Sequence, residues 1–399
     1  MSSIFDSGNP ADLEPCCGCG ICAAVCPIRA ITMKMNSQGF FTPEQVPGKC
    51  NSCELCTRTC YRFINTHQDE SSPLPHIEQG AIFSAFSNIP SIRQESSSGG
   101  VAPVLASVYL ALGYRIGGVS YAADEQIARY CFADTPHDLV ALSGSKYLQS
   151  FSANALREFL IDKKRRYVFF GLPCQIYGIR RLAKINNAID RVLLVDLFCL
   201  GVPTYHLWHK YIAFLKSRGH IDEVVEPKFR DKRTGWHTFS ITINGINKNY
   251  SVKKAKDLFF AFYLRKNCIC DACYGCRMRR DSVASDIRLG DFWGPAYLHD
   301  NQGVSLVNII TDKGAAAWER VRSSITTLQQ HTAKDMFISQ PIDRIRCPDE
   351  RFSVMKLLAD PSIPLEKIAS TYIVPPDPIT VFLQRSSRAL RRILRRLRP

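Results

Sequence analysis

Residues 16–27 read CCGCGICAAVCP and residues 50–60 read CNSCELCTRTC. Both runs carry the spacing C-x2-C-x2-C-x3-C: Cys16, Cys19, Cys22 and Cys26 in the first, Cys50, Cys53, Cys56 and Cys60 in the second. Three thiolates on one tight loop cap three corners of a 4Fe-4S cubane, and the fourth, a helical turn further on, reaches the neighbouring cluster. The spacing therefore assigns Cys16, Cys19, Cys22 and Cys60 to one cluster and Cys50, Cys53, Cys56 and Cys26 to the other. Cys17 falls outside it. Gly18 and Gly20 suit the first loop, because glycine brings amides close to cluster sulfurs without a side chain in the way. Pro27 follows the first run, whereas Tyr61 stands where the second would carry proline. Disulfides need an oxidising compartment, and a zinc site is usually two C-x2-C pairs or their His variants. Two matching quartets favour clusters over either, and over eight unligated buried thiols.

A chain of 399 residues exceeds one hydrophobic core, so two or three domains are expected. A hydrophobic share of 46% and a charged share of 22% are ordinary for a soluble globular protein. The opening MSSIFDSGNPADLEP lacks a basic n-region and an apolar core, so no secretory signal is read there. No apolar run approaches the roughly 20 residues that span a bilayer. The best candidate, Val101 to Tyr114, is short, carries Ser107, and reads as a buried helix. Seventeen cysteines in a chain expected in the cytoplasm argue for metal binding. The formal charge of +15 overstates the basicity of the body. Ligating cysteines are thiolates, and seven arginines sit in the last fifteen positions.

In chain order, residues 1–65 read as a ferredoxin-like dicluster domain, with a short hairpin over Ala30–Thr42 between the two motifs. Residues 66–80, polar with Pro73 and Pro75, read as a linker. A larger α/β domain follows, its N-terminal part at 81–165 and its C-terminal part, with a second cysteine group, at 166–340. A helix from the SSSGG loop ends at Gly113, and strands are predicted at Arg115–Tyr121 and Ile127–Ala133. Short helices follow near Pro136–Leu142 and Asn154–Lys163. Two βα steps come next: Tyr167–Phe170 into GLPCQIYGIRRL, and RVLLVDLF through CLGVPT into a helix over Tyr205–Ser217. Successive βα units favour parallel strands covered by helices. From Val224 to Val252 the pattern is antiparallel, with Asn244-Gly245 as a tight turn. A βα stretch to about residue 325 closes the domain. Residues 341–399 form a C-terminal extension.

Cys268, Cys270, Cys273 and Cys276 are spaced C-x-C-x2-C-x2-C, and Cys268, Cys273 and Cys276 are the expected ligands of a further iron–sulfur or metal site there. Cys174 and Cys199 each sit just after a strand, where sites are commonly built; each reads as a ligand or as a small buried hydrophobe. The SSSGG loop opening a helix suits a phosphate, since free amides and the helix dipole point there, although an ordinary N-cap looks the same. Lys146 faces either a phosphate or flavin, or only solvent. Neither GxGxxG after a strand nor GxxxxGK[ST] occurs, which disfavours a Rossmann site and a P-loop.

Several loops together resemble the coenzyme F420 hydrogenase/dehydrogenase β-subunit family, which includes chlorophyll-reductase-like flavoproteins. The matching stretches are SSGGV (97–101), GSKYLQS (144–150), GLPCQIYGIR (171–180), VDLFCLGVP (195–203), CYGC (273–276) and SDIRLGDFWG (285–294). With the cysteine module the resemblance spans roughly residues 15–310. It implies FAD beside the 4Fe-4S clusters, and electron exchange with a two-electron partner. It places Ser98, Gly99, Gly100, Gly144, Ser145, Lys146, Gly171, Pro173, Cys174, Gln175 and Asp291 around the flavin. Cys270 departs from the family pattern, and the last 70 residues match nothing in it.

Chemistry supports a flavin separately. Such clusters carry single electrons, whereas most organic reductions need two, so one electron must be stored until the second arrives. The expected function is thus an iron–sulfur flavoprotein oxidoreductase; an electron-transfer subunit without a substrate of its own is the alternative. The expected partner is an electron-transfer protein or a deazaflavin or nicotinamide coenzyme. The end of the chain, TVFLQRSSRALRRILRRLRP, aligns Leu383, Leu390, Ile393, Leu394 and Leu397 on one helical face with arginine over the rest. It reads as a helix lying on an anionic membrane surface, against a partner-docked helix or a nucleic-acid arm. No nucleic-acid partner is expected, because the basic residues are not interleaved with stacking aromatics.

Overall fold

The computed structural model describes residues 15–63, 74–279, 282–340 and 342–373. The basic helix read at 380–399 and residues 66–73 of the linker lie outside them. The strands, in chain order, are β1 (Ile31–Met35), β2 (Phe41–Gln45), β3 (Ala81–Ser87), β4 (Tyr114–Ala122), β5 (Ile127–Ala133), β6 (Ser150–Phe151), β7 (Arg166–Gly171), β8 (Val192–Leu197), β9 (Val224–Asp231), β10 (Ser240–Gly245), β11 (Asn249–Lys253), β12 (Ile287–Asp291), β13 (Ser305–Ile309) and β14 (Ile325–His331).

β1 and β2 pair as the hairpin expected between the cysteine motifs, with Ile31 opposite Gln45 and Met35 opposite Phe41. Nine strands make one sheet in the order β14-β3-β13-β12-β8-β7-β4-β5-β6. Its centre is parallel: β12 on β8, β8 on β7, and β7 on β4. Helices Pro173–Ile185 and Tyr205–Ser217 follow β7 and β8 as the two βα steps require. The carboxyl ends of these parallel strands lead into the GLPCQ, FCLG and GDFWG segments, so the motifs gather along one edge of the sheet. Ligands of open α/β sheets bind outside that edge. The SSSGG loop joins it, because Ser87 at the end of β3 donates its amide to the Gly99 carbonyl at 2.8 Å.

β3 had no counterpart in the sequence reading. It runs between β13 and β14 and is antiparallel to both. The stretch from β12 to β14 differs too, because β13 returns antiparallel to β12 rather than continuing the parallel order. The Asn244-Gly245 turn is corrected as well. Both residues end β10, and the chain turns at Ile246 and Asn247, with the Gly245 amide donating to the Lys248 carbonyl at 3.0 Å. The Asp222 carboxylate accepts the turn amides of Ile246 and Asn247 at 3.0 and 2.6 Å and so fixes the reversal there.

β9, β10 and β11 form a separate three-stranded sheet. Its core holds Trp208, Phe229 and Phe259, and helices Arg351–Ala359 and Leu365–Tyr372 close over it. Burial of aromatic side chains of this size contributes roughly 1.5–3 kcal/mol each. Lys210 fastens the closing helices by donating to the Asp360 and Ile363 carbonyls.

The dicluster segment shares a core with the large sheet: Ile21, Val25, Ile31 and Tyr61 pack with Leu156, Phe159, Ile176 and Ile179. The two approach closely at Gly178, where an added Cβ would lie 2.5 Å from Ile21, so the helix Pro173–Ile185 admits helix Ile21–Val25 only as glycine. Gln149 clamps the same contact. Its Oε1 accepts the Phe41 amide at 2.5 Å, and its Nε2 donates to the Cys17 carbonyl at 3.0 Å.

Candidate functional site

The two cysteine loops repeat one backbone shape. Gly18 and Gly20 have φ of 68° and 75°, and the equivalent Ser52 and Glu54 have φ of 58° and 59°. This left-handed bend turns the Gly18 amide onto Cys16 Sγ at 3.3 Å and the Ser52 amide onto Cys50 Sγ at 3.4 Å. Such amides stabilise thiolate over thiol.

The loops bring together the four cysteines of the first expected quartet and three of the second. Burial pushes the Cys22 thiol well up, and the thiols of Cys19, Cys16, Cys60 and Cys56 add to the shift. Cys60 is likewise raised by burial, with Cys19 and Cys16 beside it. Cys56, pushed up to about 11 by burial, has Cys53 and Cys26 as neighbours. Cys16, Cys19, Cys22 and Cys60 therefore surround one position, and Cys26, Cys53 and Cys56 converge on another. In the second group Cys53 is exposed, while Cys26 and Cys56 are buried. Tyr61, in place of the proline, is buried, and its hydroxyl donates to the Pro15 carbonyl.

A third thiol-lined cleft, with a cavity of about 40 Å³, lies at the carboxyl edge of the parallel strands. Cys174 enters it from the end of β7, Cys199 from the end of β8, and Cys273 and Cys276 from the segment before β12; Cys17, Cys19, Tyr61 and Arg279 are also in the lining. Burial pushes Cys276 up to about 11, with Cys199 and Cys273 adding to it. A hydrogen bond from Cys17 lowers the Cys174 thiol, but burial and the neighbouring Cys276, Cys19 and Cys199 leave it raised, at about 11. Gly201, at φ 103°, directs its amide onto Cys199 Sγ at 3.3 Å, as in the N-terminal loops. Thiols packed this way ionise only beside added positive charge, which iron supplies. Among the described residues no three Cys, His, Asp or Glu side chains close tightly enough on one point for a single ion.

The segment carrying Cys273 and Cys276 is held from the sheet. Arg288 on β12 makes a two-pronged bond to Asp196 on β8 at 2.8 and 2.6 Å, both side chains fully buried. It also donates to the Met278 and Arg279 carbonyls. Arg279 in turn donates to the Cys199 and Cys273 carbonyls, each at 3.0 Å.

Cys268, one of the three ligands expected at 268–276, is fully buried in the aromatic core and does not line this cleft. Cys174, grouped with the flavin residues by sequence, and Cys199, singled out only by its place after a strand, stand there with Cys273 and Cys276. The signal available was the pair of strand-end loops, GLPCQ and FCLG.

The remaining expected flavin residues fall into two sets. Gly171, Pro173 and Gln175 lie at the end of β7 beside the thiol cleft, and Gln175 is occupied, donating to Ser150 and Ser152 and accepting the Leu172 amide. Ser98, Gly99, Gly100, Gly144, Ser145 and Lys146 lie on two loops joined by the Ser145 amide donating to Ser97 Oγ at 3.0 Å. Gly99 already donates its amide to Ser305, and a Cβ there would meet the Ala85 carbonyl at 2.5 Å, so its glycine serves close backbone packing. Lys146 donates to the Ala141 and Ser143 carbonyls, and desolvation brings its ammonium down to about 8. Asp291 is bound by Arg230 at 2.5 and 3.1 Å and by the Trp236 indole at 2.7 Å.

Comparison with known proteins matches residues 164–334 to the family described as the C terminus of the coenzyme F420 hydrogenase/dehydrogenase beta subunit, and residues 15–63 to the 4Fe-4S dicluster domain. The F subunit of the F(420)H(2) dehydrogenase of Methanosarcina mazei is 23% identical over 316 residues, 75% of this chain and 83% of that protein. Coenzyme F420-dependent sulfite reductase of Methanocaldococcus jannaschii is 25% identical over 338 residues, 79% of this chain but 46% of the reductase, so the chain spans about half of its length. A chain of the F420-reducing NiFe hydrogenase complex from Methanosarcina barkeri aligns at a TM-score of 0.47 with 17% identity, covering 72% of this chain and 95% of that one. The cysteine loops, the strand-end motifs and the two family matches agree: residues 15–63 form a 4Fe-4S dicluster domain, and residues 164–334 form a C-terminal domain of the coenzyme F420 hydrogenase/dehydrogenase beta-subunit type.

Proposed function

We propose that the chain is an iron–sulfur flavoprotein that exchanges electrons between its dicluster domain and a two-electron partner of the deazaflavin class. The observation that carries the reading is the convergence of Cys174, Cys199, Cys273 and Cys276 on one cleft, directly behind the dicluster thiols Cys17 and Cys19. In this reading Cys16, Cys19, Cys22 and Cys60 hold one cluster, and Cys26, Cys50, Cys53 and Cys56 hold a second. The strand-end quartet holds a third, while Cys17 bridges neighbouring quartets as a hydrogen-bonding thiol. The clusters supply one-electron carriers, and FAD supplies the step between single electrons and electron pairs. Ser98–Gly100 and Gly144–Lys146 are the residues assigned to the flavin; the ammonium of Lys146 and the amide end of helix Val101–Ala111 suit an anionic cofactor. The names of the relatives support a coenzyme of the F420 type as the partner.

A subunit without a substrate of its own is the second reading, favoured by the relative named as a subunit, 83% of which this chain covers. Anaerobic purification with iron, sulfide and flavin quantification tests both. About twelve irons and one flavin per chain are expected, four irons for each cluster. Cys53→Ala and Cys199→Ala should each remove about four, and Cys17→Ala none. Full iron in Cys199→Ala would remove the third cluster, and absence of flavin would leave the electron-carrier subunit.

A further inference from the structure

Lys266 caps the C-terminus of helix Leu258–Arg265 with φ 63°, a left-handed backbone that is unfavourable for a residue with a side chain. Glycine is the usual choice at such a position. A lysine held there against that preference calls for a role of its side chain. Its Nζ is buried and has no hydrogen-bond partner among the described residues. It lies 4.1 Å from the centre of the Tyr263 ring. The Tyr263 hydroxyl donates to the carbonyl of Gly201, which lines the strand-end cleft two residues after Cys199. The Lys266 carbonyl accepts from the hydroxyl of Tyr274, the neighbour of Cys273. Lys266 is thus tied to both cysteine segments of the cleft, its side chain through the Tyr263 ring and its backbone carbonyl through Tyr274, and Cys199, Cys268 and Cys273 are near enough to favour its ammonium against the cost of burial.

Arg279, the cation in the cleft lining, spends its guanidinium on the Cys199 and Cys273 carbonyls. Lys266 has no such bond. A buried ammonium without an acceptor is costly unless a negative charge lies nearby, and four thiolates around a cluster supply one.

We propose that Lys266 is the positive charge that sets the reduction potential of the group held by Cys174, Cys199, Cys273 and Cys276. The inference rests on the third-cluster reading above. A fixed positive charge favours the more negative, reduced state of a neighbouring redox group, so it raises the potential. The effect is strong where the surroundings are apolar and weak in water.

The test uses the full chain, purified anaerobically, with reductive titration followed by electron paramagnetic resonance. Cys199→Ala first identifies the signal of the third site by its loss, together with the loss of iron. Lys266→Met, which keeps the length of the side chain, and Lys266→Gly, which relieves the left-handed backbone, both remove the charge. Both should retain full iron and sulfide and shift that one midpoint to lower potential, leaving the two N-terminal midpoints in place. Lys266→Arg should hold the wild-type value. A structural role would separate the Gly and Met variants, because one relaxes the backbone and the other does not; a charge effect moves them together. An unchanged midpoint, a rise, or an equal shift of all three signals overturns the proposal. If Cys199→Ala loses neither iron nor a signal, the third-cluster reading itself has failed.

Discussion

Asp257 caps the helix Leu258–Arg265 by accepting the Phe260 amide at 2.8 Å, while its other oxygen accepts the Tyr211 hydroxyl at 2.6 Å. Burial outweighs both bonds and raises this carboxyl to about 6. The folded-state value lies above the unfolded one, so the folded protein binds the proton more tightly. Stability from that proton is fully present below about pH 4 and is lost as pH rises through about 6. The size is on the order of 3 kcal/mol, from roughly two pKa units. Asp257→Asn keeps an acceptor for the Phe260 amide and removes the charge. It should raise the urea midpoint at pH 7 and raise it about a third as much at pH 4.5; an equal change at both values would reject the account. Gln149 teaches a different lesson at this scale. The sequence marked its neighbours Gly144, Ser145 and Lys146, because glycine and lysine advertise phosphate chemistry. The clamp is nevertheless Gln149, whose partners Phe41 and Cys17 lie 108 and 132 positions away. An amide side chain satisfied at that range leaves no local pattern to read. Cys199 was half legible for the same reason: its place after a strand was visible, but its three companions were gathered by the sheet.

Most elements were legible where a single period ran uninterrupted between turn residues. Helix Tyr205–Ser217 and strand Ile127–Ala133 have the predicted bounds. β3 failed that test: AIFSAFS mixes Ser and Ala with aromatics, and its place is set by β13 and β14, more than 200 residues later. The Asn244-Gly245 turn failed because Asp222, outside the hairpin, decides where the chain reverses. The duplicated cysteine loops allow a prediction from their shared shape. Ser52 and Glu54 hold left-handed backbones that Gly18 and Gly20 hold without strain. Ser52→Gly with Glu54→Gly should therefore stabilise the second loop. Each change should contribute about 0.5–1 kcal/mol after the entropy cost of glycine. The observable is slower iron release to a chelator, with total iron unchanged. Gly18→Ala should act oppositely, since its Cβ would meet Gln149 at 2.1 Å and the Phe41 carbonyl oxygen at 2.3 Å. Equal iron release from all three proteins would separate loop strain from cluster retention.

On the scale of the whole molecule, the three thiol groups form a series, with Cys56 beside Cys22 and Cys19 linked through Cys17 to Cys174. Cys53 and its neighbours Lys49 to Glu54 are largely exposed, and the Cys16–Cys60 quartet lies between that end and the strand-end cleft. No helix among the described residues is long and apolar enough to cross a membrane. On the proposed reading, a protein carrier would meet the series at exposed Cys53. The rim of that group is basic: Lys49 precedes Cys50, Arg58 follows Cys56, Arg29 follows Cys26, and all three are exposed. Glu54 is the only acidic residue within the runs 26–30 and 48–60. Such a surface attracts an acidic redox protein, and steering of this kind changes association rates by about 10- to 1,000-fold. Lys49→Glu with Arg58→Glu should slow reduction by an acidic ferredoxin about tenfold or more at low salt. The difference should shrink once the Debye length falls to about 3 Å near 1 M salt. Reduction by a small uncharged dye should not change, because it needs no docking surface, and iron content should stay at the wild-type level. Stopped-flow traces across a salt series decide the matter. A variant that is slow with both reductants has a damaged cluster, whereas one that keeps wild-type rates with the acidic carrier at every salt concentration places the docking surface elsewhere.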